Sequence, residues 1–295
     1  VTLQDKKKFY LKRFSELSSA RGRRSHGAFV VTGRRAVQGL VEAGWKPSML
    51  VLRESEDNPK PSPAEKLEEF PFFTVNHKVM ERICPLKSAQ DIIGEFLIPD
   101  PPANPPIATR GGLVLCGISD PGNLGSLFRS AAAFGFDQVV MVGAGADPYN
   151  PAVVQATAGS LPRKLWKVTK AQDIWDMMDP TVTVALAGRG GGEVGLVKTR
   201  LDGKWPWIIV GSEAHGLPES IYNRAEHVLS IRVMKHMDSL NVNAAAAIAM
   251  HSLASRNPRA LEQRGQQLKS IITHEPRGET ETATESSAMN GPTEA

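Results

Sequence analysis

Cysteine is nearly absent: Cys84 and Cys116 are the two in 295 residues. Two thiols cannot build a disulfide framework, and neither lies in a metal-ligand spacing, so no structural metal is expected. Sparse cysteine fits a reducing compartment, and a cytoplasmic location is the expectation. Long apolar runs are missing as well. None approaches the ~20 residues that span a bilayer, and no apolar signal-like stretch lies near Val1, so a membrane partner is not expected. The familiar nucleotide cradles are also absent. No strand-like run leads into G-x-G-x-x-G, and the cluster Gly188–Gly192 continues into Glu193 and Val194 instead of opening a helix. There is no G-x-x-x-x-G-K-[ST], no G-x-S-x-G and no H-E-x-x-H. These gaps argue against a dinucleotide oxidoreductase, a P-loop nucleotidase, a serine hydrolase and a zinc protease.

What is present is enough apolar residue, 41%, to bury a sizeable core over a length that suggests two domains. The formal net charge of +4 permits a polyanionic partner without requiring one. Its distribution says more. Lys6, Lys7, Lys8, Lys12, Arg13, Arg21, Arg23, Arg24, Arg34 and Arg35 crowd the beginning of the chain, opposed by Asp5 and Glu16. Such a run can be a solvated helix face. Arg21, Arg23 and Arg24, however, fall in a Gly- and Ser-rich stretch that reads as a turn, where side chains can converge on phosphates. With Arg34 and Arg35 they are the candidate contacts to a polyanion.

The segment 99–112 carries prolines at 99, 101, 102, 105 and 106, which can sustain neither a helix nor a central strand. It is read as a linker between an N-terminal domain, 1–98, and a C-terminal domain, 113–265. Before it, helical spacing over 6–17 and 34–43 alternates with strand-like runs at 29–32, 49–52 and 72–75, with a short helix at 79–83. After it, strands are expected at 113–117, 138–142, 181–187, 207–210 and 228–233. Helices are expected at 124–134, 153–158, 171–178, 219–222 and 241–254. Strand–helix alternation of this length implies an α/β domain with a mostly parallel sheet covered on both faces. The tail, 275–295, is rich in Glu, Thr, Ser and Gly with almost nothing apolar, and is expected to be disordered.

Three loops at strand ends carry unusual polar residues. Ser119-Asp120-Pro121-Gly122-Asn123-Leu124-Gly125 is a turn with a cap. Arg129 follows on a helix otherwise lined by Leu, Phe and Ala, where a cation needs an anionic partner. Gly211-Ser212-Glu213-Ala214-His215-Gly216-Leu217 places a carboxylate at the C-terminal end of a strand, where open parallel sheets bind ligands. Ser239-Leu240-Asn241-Val242-Asn243 opens an Ala-rich helix. Singly, each reads as well as turn and capping chemistry.

In order and spacing together, the three loops resemble the three motifs of the SpoU–TrmH branch of the SPOUT RNA methyltransferases, over about residues 113–255. The N-terminal part is similar to that family's accessory RNA-binding domain, a ribosomal-protein-like α/β unit. The arrangement is similar to antibiotic-resistance 23S rRNA methyltransferases, the avilamycin-resistance type among them. The resemblance implies a C-terminal trefoil knot formed by the loops near Gly188, at 211–217 and at 231–241. It implies S-adenosyl-L-methionine as cofactor, held largely through backbone at Ala187, Gly188, Gly211, Gly216, Leu217, Ile231 and Leu240. It further implies a homodimer, and a reactive set of Asn123, Arg129, Glu213, Ser239 and Asn241 that methylates a ribose 2′-hydroxyl. Departures are Cys116 for a frequent Asp, Arg232 for a frequent Pro and Asn243 for a frequent Ser. Two alternatives stay open beside methylation of rRNA: methylation of tRNA, and a non-catalytic RNA-binding protein of the same fold.

Overall fold

The computed structural model describes residues 3–55, 61–63, 65–86, 90–107, 110–188, 192–193, 205–234 and 240–255. The expected disordered tail, the end of the C-terminal domain beyond 255, and Ser239 lie outside these residues.

The N-terminal domain contains helices α1 (Leu3–Glu16), α2 (Ala20–His26), α3 (Arg34–Glu42) and α4 (His77–Ile83) and strands β1 (Ala28–Thr32), β2 (Pro47–Arg53), β3 (Phe72–Val75) and β4 (Ile92–Leu97). The sheet runs β1-β4-β2-β3, with β4 antiparallel to both neighbours and β2 parallel to β3. Alternate residues of β1 serve two cores. Ala28 and Val30 pack with Phe14, Leu17, Met80 and Ile83, whereas Phe29 and Val31 face Val37, Leu40 and Trp45.

The sequence reading missed β4. Gly94 and Glu95 interrupt its apolar run, and Glu95 is 2% exposed. The carboxylate is nevertheless satisfied, by Arg13 Nε at 2.8 Å and by Ser48 Oγ at 2.9 Å, partners far off in the chain. The expected turn carrying Arg21, Arg23 and Arg24 is corrected to a helix. Ser19 accepts a hydrogen bond from the Gly22 backbone N–H and starts α2, and Gly27 ends it.

The C-terminal domain comprises β5 (Gly112–Cys116), α5 (Pro121–Ala133), β6 (Gln138–Val142), α6 (Pro151–Thr157), β7 (Lys164–Val168), β8 (Thr183–Leu186), β9 (Gly192–Glu193), β10 (Trp207–Gly211), α7 (Glu219–Tyr222), β11 (His227–Ser230) and α8 (Val242–Ala254). Seven strands form one parallel sheet, ordered β7-β6-β5-β10-β8-β11-β9. β10 therefore slots between β5 and β8, and β11 lies beyond β8, so the C-terminal ends of β5, β10, β8 and β11 stand side by side. β7 was not foreseen, and the expected helix at 171–178 is a 3₁₀ segment, Ala171–Asp176.

The proline-rich segment does not leave the domains independent. Gln138 accepts from the Ile107 backbone N–H at 2.7 Å and donates to the carbonyls of Ile107 and Gly111, and Trp166 Nε1 donates to Asn104 O. A single core runs through both domains and joins Phe29, Val31 and Trp45 to Leu124, Phe128, Tyr149 and Val153. Gly39 of α3 meets Gly159 so closely that a Cβ on Gly159 would lie 2.9 Å from Gly39 Cα. Arg23 is buried at the same junction. Its Nε and Nη2 donate to Asp147 Oδ2 at 2.9 and 2.7 Å, and its Nη1 donates to the carbonyls of Leu17 and Ser18.

Removing Asp147 would leave the Arg23 guanidinium buried with half of its anchoring gone. Asp147→Ala is expected to cost about 3 kcal/mol in urea unfolding, and Arg23→Met, which removes the charge but keeps the volume, is expected to cost less. An unchanged D147A midpoint would show that this pair does not hold the domains together.

Candidate active site

Each side chain of the site is set by the element it begins or ends. Asp120 caps α5, its Oδ1 accepting the Asn123 backbone N–H at 2.7 Å, and this holds Asn123 in the first turn of the helix. Glu213 follows β10 on a tight return. The Gly216 backbone N–H donates to Ser212 O at 2.9 Å, and a Cβ on Gly211 would sit 2.1 Å from Gly216 O, so only glycine admits this fold-back. Asn241 caps α8 by accepting the Asn243 backbone N–H at 3.0 Å.

These three segments meet. Asn241 Nδ2 donates to Glu213 Oε1 at 2.7 Å and lies 3.2 Å from Asn123 Oδ1. Asn123 Nδ2 and the Val242 backbone N–H each donate to Glu213 Oε1 at 3.4 Å. Residues more than a hundred positions apart, Asn123 and Asn241, are thus tied through one carboxylate. The sequence reading had not placed Asn243 in this group, yet Asn243 Nδ2 makes a 2.7 Å bond to Asn123 Oδ1. Its two-residue offset from Asn241 and its place where the family often has Ser were the signals in the sequence that could have pointed to it.

Two adjoining cavities share Ser212, Glu213, Gly216 and Val242 as their common wall. The narrower, about 160 Å³, lies at the C-terminal ends of β8, β10 and β11 and is lined by Leu186, Val210, Leu229, Val233, Leu240 and Ala245 with Ala187, Gly188, Gly211 and Ile231. Six of the seven residues expected to hold a cofactor therefore line one pocket. Leu217 is the exception, because its side chain packs against the second core cluster, around Ile221 and Trp175. Aliphatic walls rimmed by main chain suit a flat, largely apolar heterocycle whose polar edge is read by backbone groups. A Cβ on Gly188 would meet nothing within 4 Å, so its backbone presents an open face there. The lining fits an adenosyl group.

The wider cavity, about 630 Å³, is bordered by Cys116, Ile118, Asp120, Asn123, Thr169 and His215. Burial pushes the Cys116 thiol up to about 12, so it stays protonated in the wall of this cavity. Arg129 is not brought into this assembly. It is exposed on α5, lines neither cavity, and among the described residues its side chain makes no hydrogen bond or ion pair. Six residues after Asn123 places it about 240° round the helix, which explains the separation. Of the candidate RNA contacts, Arg21, Arg24, Arg34 and Arg35 are exposed, with Arg34 and Arg35 flanking a shallow pocket beside Glu42 and Ala158. Arg23 is a correction: its donors are spent within the protein, and it is not free to meet a phosphate.

Comparison with known proteins adds family models and whole-chain likenesses. Residues 112–251 match the SpoU rRNA methylase family, and residues 9–94 match the MRM3-like substrate-binding domain. An uncharacterised tRNA/rRNA methyltransferase of Synechocystis is 23% identical over 256 residues, covering 82% of this chain and 89% of that protein. Human mitochondrial rRNA methyltransferase 1 is 26% identical, covering 72% of this chain and 64% of its own length. Among solved structures, the AdoMet-bound rRNA methyltransferase of Sinorhizobium meliloti superposes with a TM-score of 0.70 at 25% identity, covering 84% of this chain and 94% of that one. The SpoU methyltransferase AviRb of Streptomyces viridochromogenes, solved with AdoMet, gives 0.72 at 20% identity over 84% and 98% of the two chains, a likeness of fold.

Cys116 offers a check on the site's burial. In native protein at pH 8, iodoacetamide is expected to label the half-buried Cys84 and spare Cys116, with both labelled in urea, as read by peptide mass spectrometry. Equal native labelling would mean that the wider cavity reaches deeper than the structure shows.

Proposed function

We propose that this chain, in which a match to the SpoU methylase family follows a match to an MRM3-like substrate-binding domain, is a SpoU-type S-adenosyl-L-methionine-dependent RNA 2′-O-ribose methyltransferase acting on 23S rRNA. The observation that carries this reading is the shared wall of the two cavities: Glu213, bracketed by Asn123 and Asn241, stands between a narrow aliphatic pocket and a wider one bordered by Asp120, Asn123, Thr169 and His215. A donor seated in the first and a ribose in the second would meet there.

S-adenosyl-L-methionine supplies an electrophilic methyl group. The protein's part is to hold the ribose oxygen in line with it, and such positioning can account for most of the acceleration. Gly211, Gly188, Ala187, Ile231 and Leu240 would hold the adenosyl part through backbone groups and aliphatic walls. Glu213 fixes Asn123 and Asn241, and Asn123 offers an amide N–H to the ribose. Ser239 is assigned to the same third loop by motif position. A guanidinium hardly deprotonates in a protein, so Arg129 is assigned as a clamp on a flanking phosphate and not as a base. It lies about 9 Å along α5 from Asn123, a reach that suits a neighbouring nucleotide. Arg21, Arg24, Arg34 and Arg35 would grip RNA shape away from the target.

The same reading includes a homodimer, as the family resemblance implies. It also includes a trefoil knot, supported by the insertion of β10 between β5 and β8 and by three loops converging on one pocket. A separate N-terminal domain welded to the catalytic one favours a large structured RNA over tRNA. Among the described residues no helix is long and apolar enough to cross a membrane. The two free cysteines suit a cytoplasmic protein.

Calorimetry should show one S-adenosyl-L-methionine bound per chain, and tritium from its methyl group should pass to 23S rRNA as an alkali-resistant dinucleotide, the mark of a blocked 2′-hydroxyl. Cofactor binding without any transfer to rRNA or tRNA would favour the non-catalytic alternative. Gly211→Ala, which forces the 211–217 loop open, is expected to weaken cofactor binding at least ten-fold. Arg129→Lys keeps the charge but loses the fork; the expected result is a raised KM for RNA with cofactor affinity unchanged, and wild-type kinetics would remove the clamp from the scheme.

A further inference from the structure

We propose that Asn243 is a positioning residue that decides which end of the Asn123 amide faces the ribose; this rests on the methyltransferase reading above. The argument starts from donor and acceptor counting. Asn123 Oδ1 accepts from Asn243 Nδ2 at 2.7 Å and from Asn241 Nδ2 at 3.2 Å, which occupies both of its lone pairs. Its Nδ2 is thereby turned toward Glu213 Oε1 at 3.4 Å and toward the wider cavity that Asn123 lines. One amide hydrogen serves Glu213, and the other is left for an incoming acceptor. Turned the other way, Asn123 would set Nδ2 against two amide donors and Oδ1 against a carboxylate, three repulsive pairings in place of three attractive ones.

Asn241 constrains this orientation less tightly. Its Nδ2 donates to Glu213 at 2.7 Å and to Asn123 Oδ1 at the longer 3.2 Å, and its Oδ1 is committed to the Asn243 backbone N–H. Asn243 makes the shorter of the two bonds to Asn123 and makes it at a cost, because Asn243 Oδ1 is buried without a partner. Burying an amide oxygen unsatisfied is unfavourable, so a side chain kept this way is held by what its other end does. Asn243 lines neither cavity, so it touches neither cofactor nor ribose and acts through Asn123.

Asn243→Asp tests this. It replaces the donor with a carboxylate facing Asn123 Oδ1, which would turn the Asn123 amide round. The expected outcome is a kcat for RNA methylation at least ten-fold lower, with S-adenosyl-L-methionine affinity and melting temperature near wild type. The Asn123 side-chain amide resonances in a ¹H–¹⁵N spectrum, identified by Asn123→Asp, should shift. Asn243→Ala, which removes the donor without adding charge, should lower kcat about three-fold or more and serves if the aspartate variant does not fold. Wild-type kcat in both variants, an unmoved Asn123 resonance, or a parallel loss of cofactor binding would overturn the assignment. If wild-type protein itself transfers no methyl group, the methyltransferase reading fails, while the amide resonances still decide what Asn243 does.

Discussion

The carboxylate of Glu213 is the hinge on which the site is built. It accepts hydrogen bonds from two side-chain amides and one backbone N–H, contributed by the starts of α5 and α8. None of these bonds is strong singly, since Glu213 and Asn241 are exposed and water competes for them. Their effect is geometric. Two helices enter the site from β5 and from the loop after β11, and a shared acceptor is what keeps their first turns in register. The sheet makes that sharing feasible: only because β10 lies between β5 and β8 does Glu213, leaving β10, fall within reach of both.

The second constraint is the junction between domains. A charged pair with one nearly buried member, an interdomain glycine contact and a common apolar core make the N-terminal domain a fixed extension of the catalytic one. A buried pair of this kind is weak evidence for stability in itself, but it is demanding about geometry. Its consequence for function is that Arg34 and Arg35 sit at a set distance from the cavities, as they would on a ruler and would not on a tether. Proline-rich composition alone suggests the opposite. The linker is held because its carbonyls find Gln138 and Trp166 on the sheet beside it.

The legible parts of the sequence were those whose cause is local. Strands β1, β3, β5, β6 and β10 announce themselves as apolar runs between turn residues, and α8 as an Ala-rich run behind its cap. Gly188 and Gly211 were assigned to the narrow pocket by the family resemblance, and of the two Gly211 also has a local cause, its tight return onto Gly216. Features settled by distant partners stayed hidden. Glu95 looked like a strand breaker until Arg13 and Ser48 arrived to satisfy it. Arg23 looked like a phosphate ligand until Asp147, 124 residues away, claimed it. Leu217 sits in the expected loop but turns its side chain to the other core. Asn243 was noticed as a departure from pattern, and its role emerged from a side-chain pairing that spacing cannot show.

The arrangement also bears on where the substrate proton goes. Glu213 is the carboxylate nearest the meeting point of the two cavities, but its Oε1 already receives three donors and serves as a bracket. Asn123 and Asn241 cannot accept a proton at neutral pH, Cys116 is a neutral buried thiol, and Arg129 stands outside the pocket lining. Asp120 and His215 also border the wider cavity, so the proton has several places to go, to one of these, to solvent or to the RNA's own phosphate, while Glu213 and the amides contribute alignment. Whichever group takes the proton, the orientation of the Asn123 amide is fixed beforehand by Glu213, Asn241 and Asn243, so alignment is set by neutral amides and one bracketing carboxylate before any proton moves.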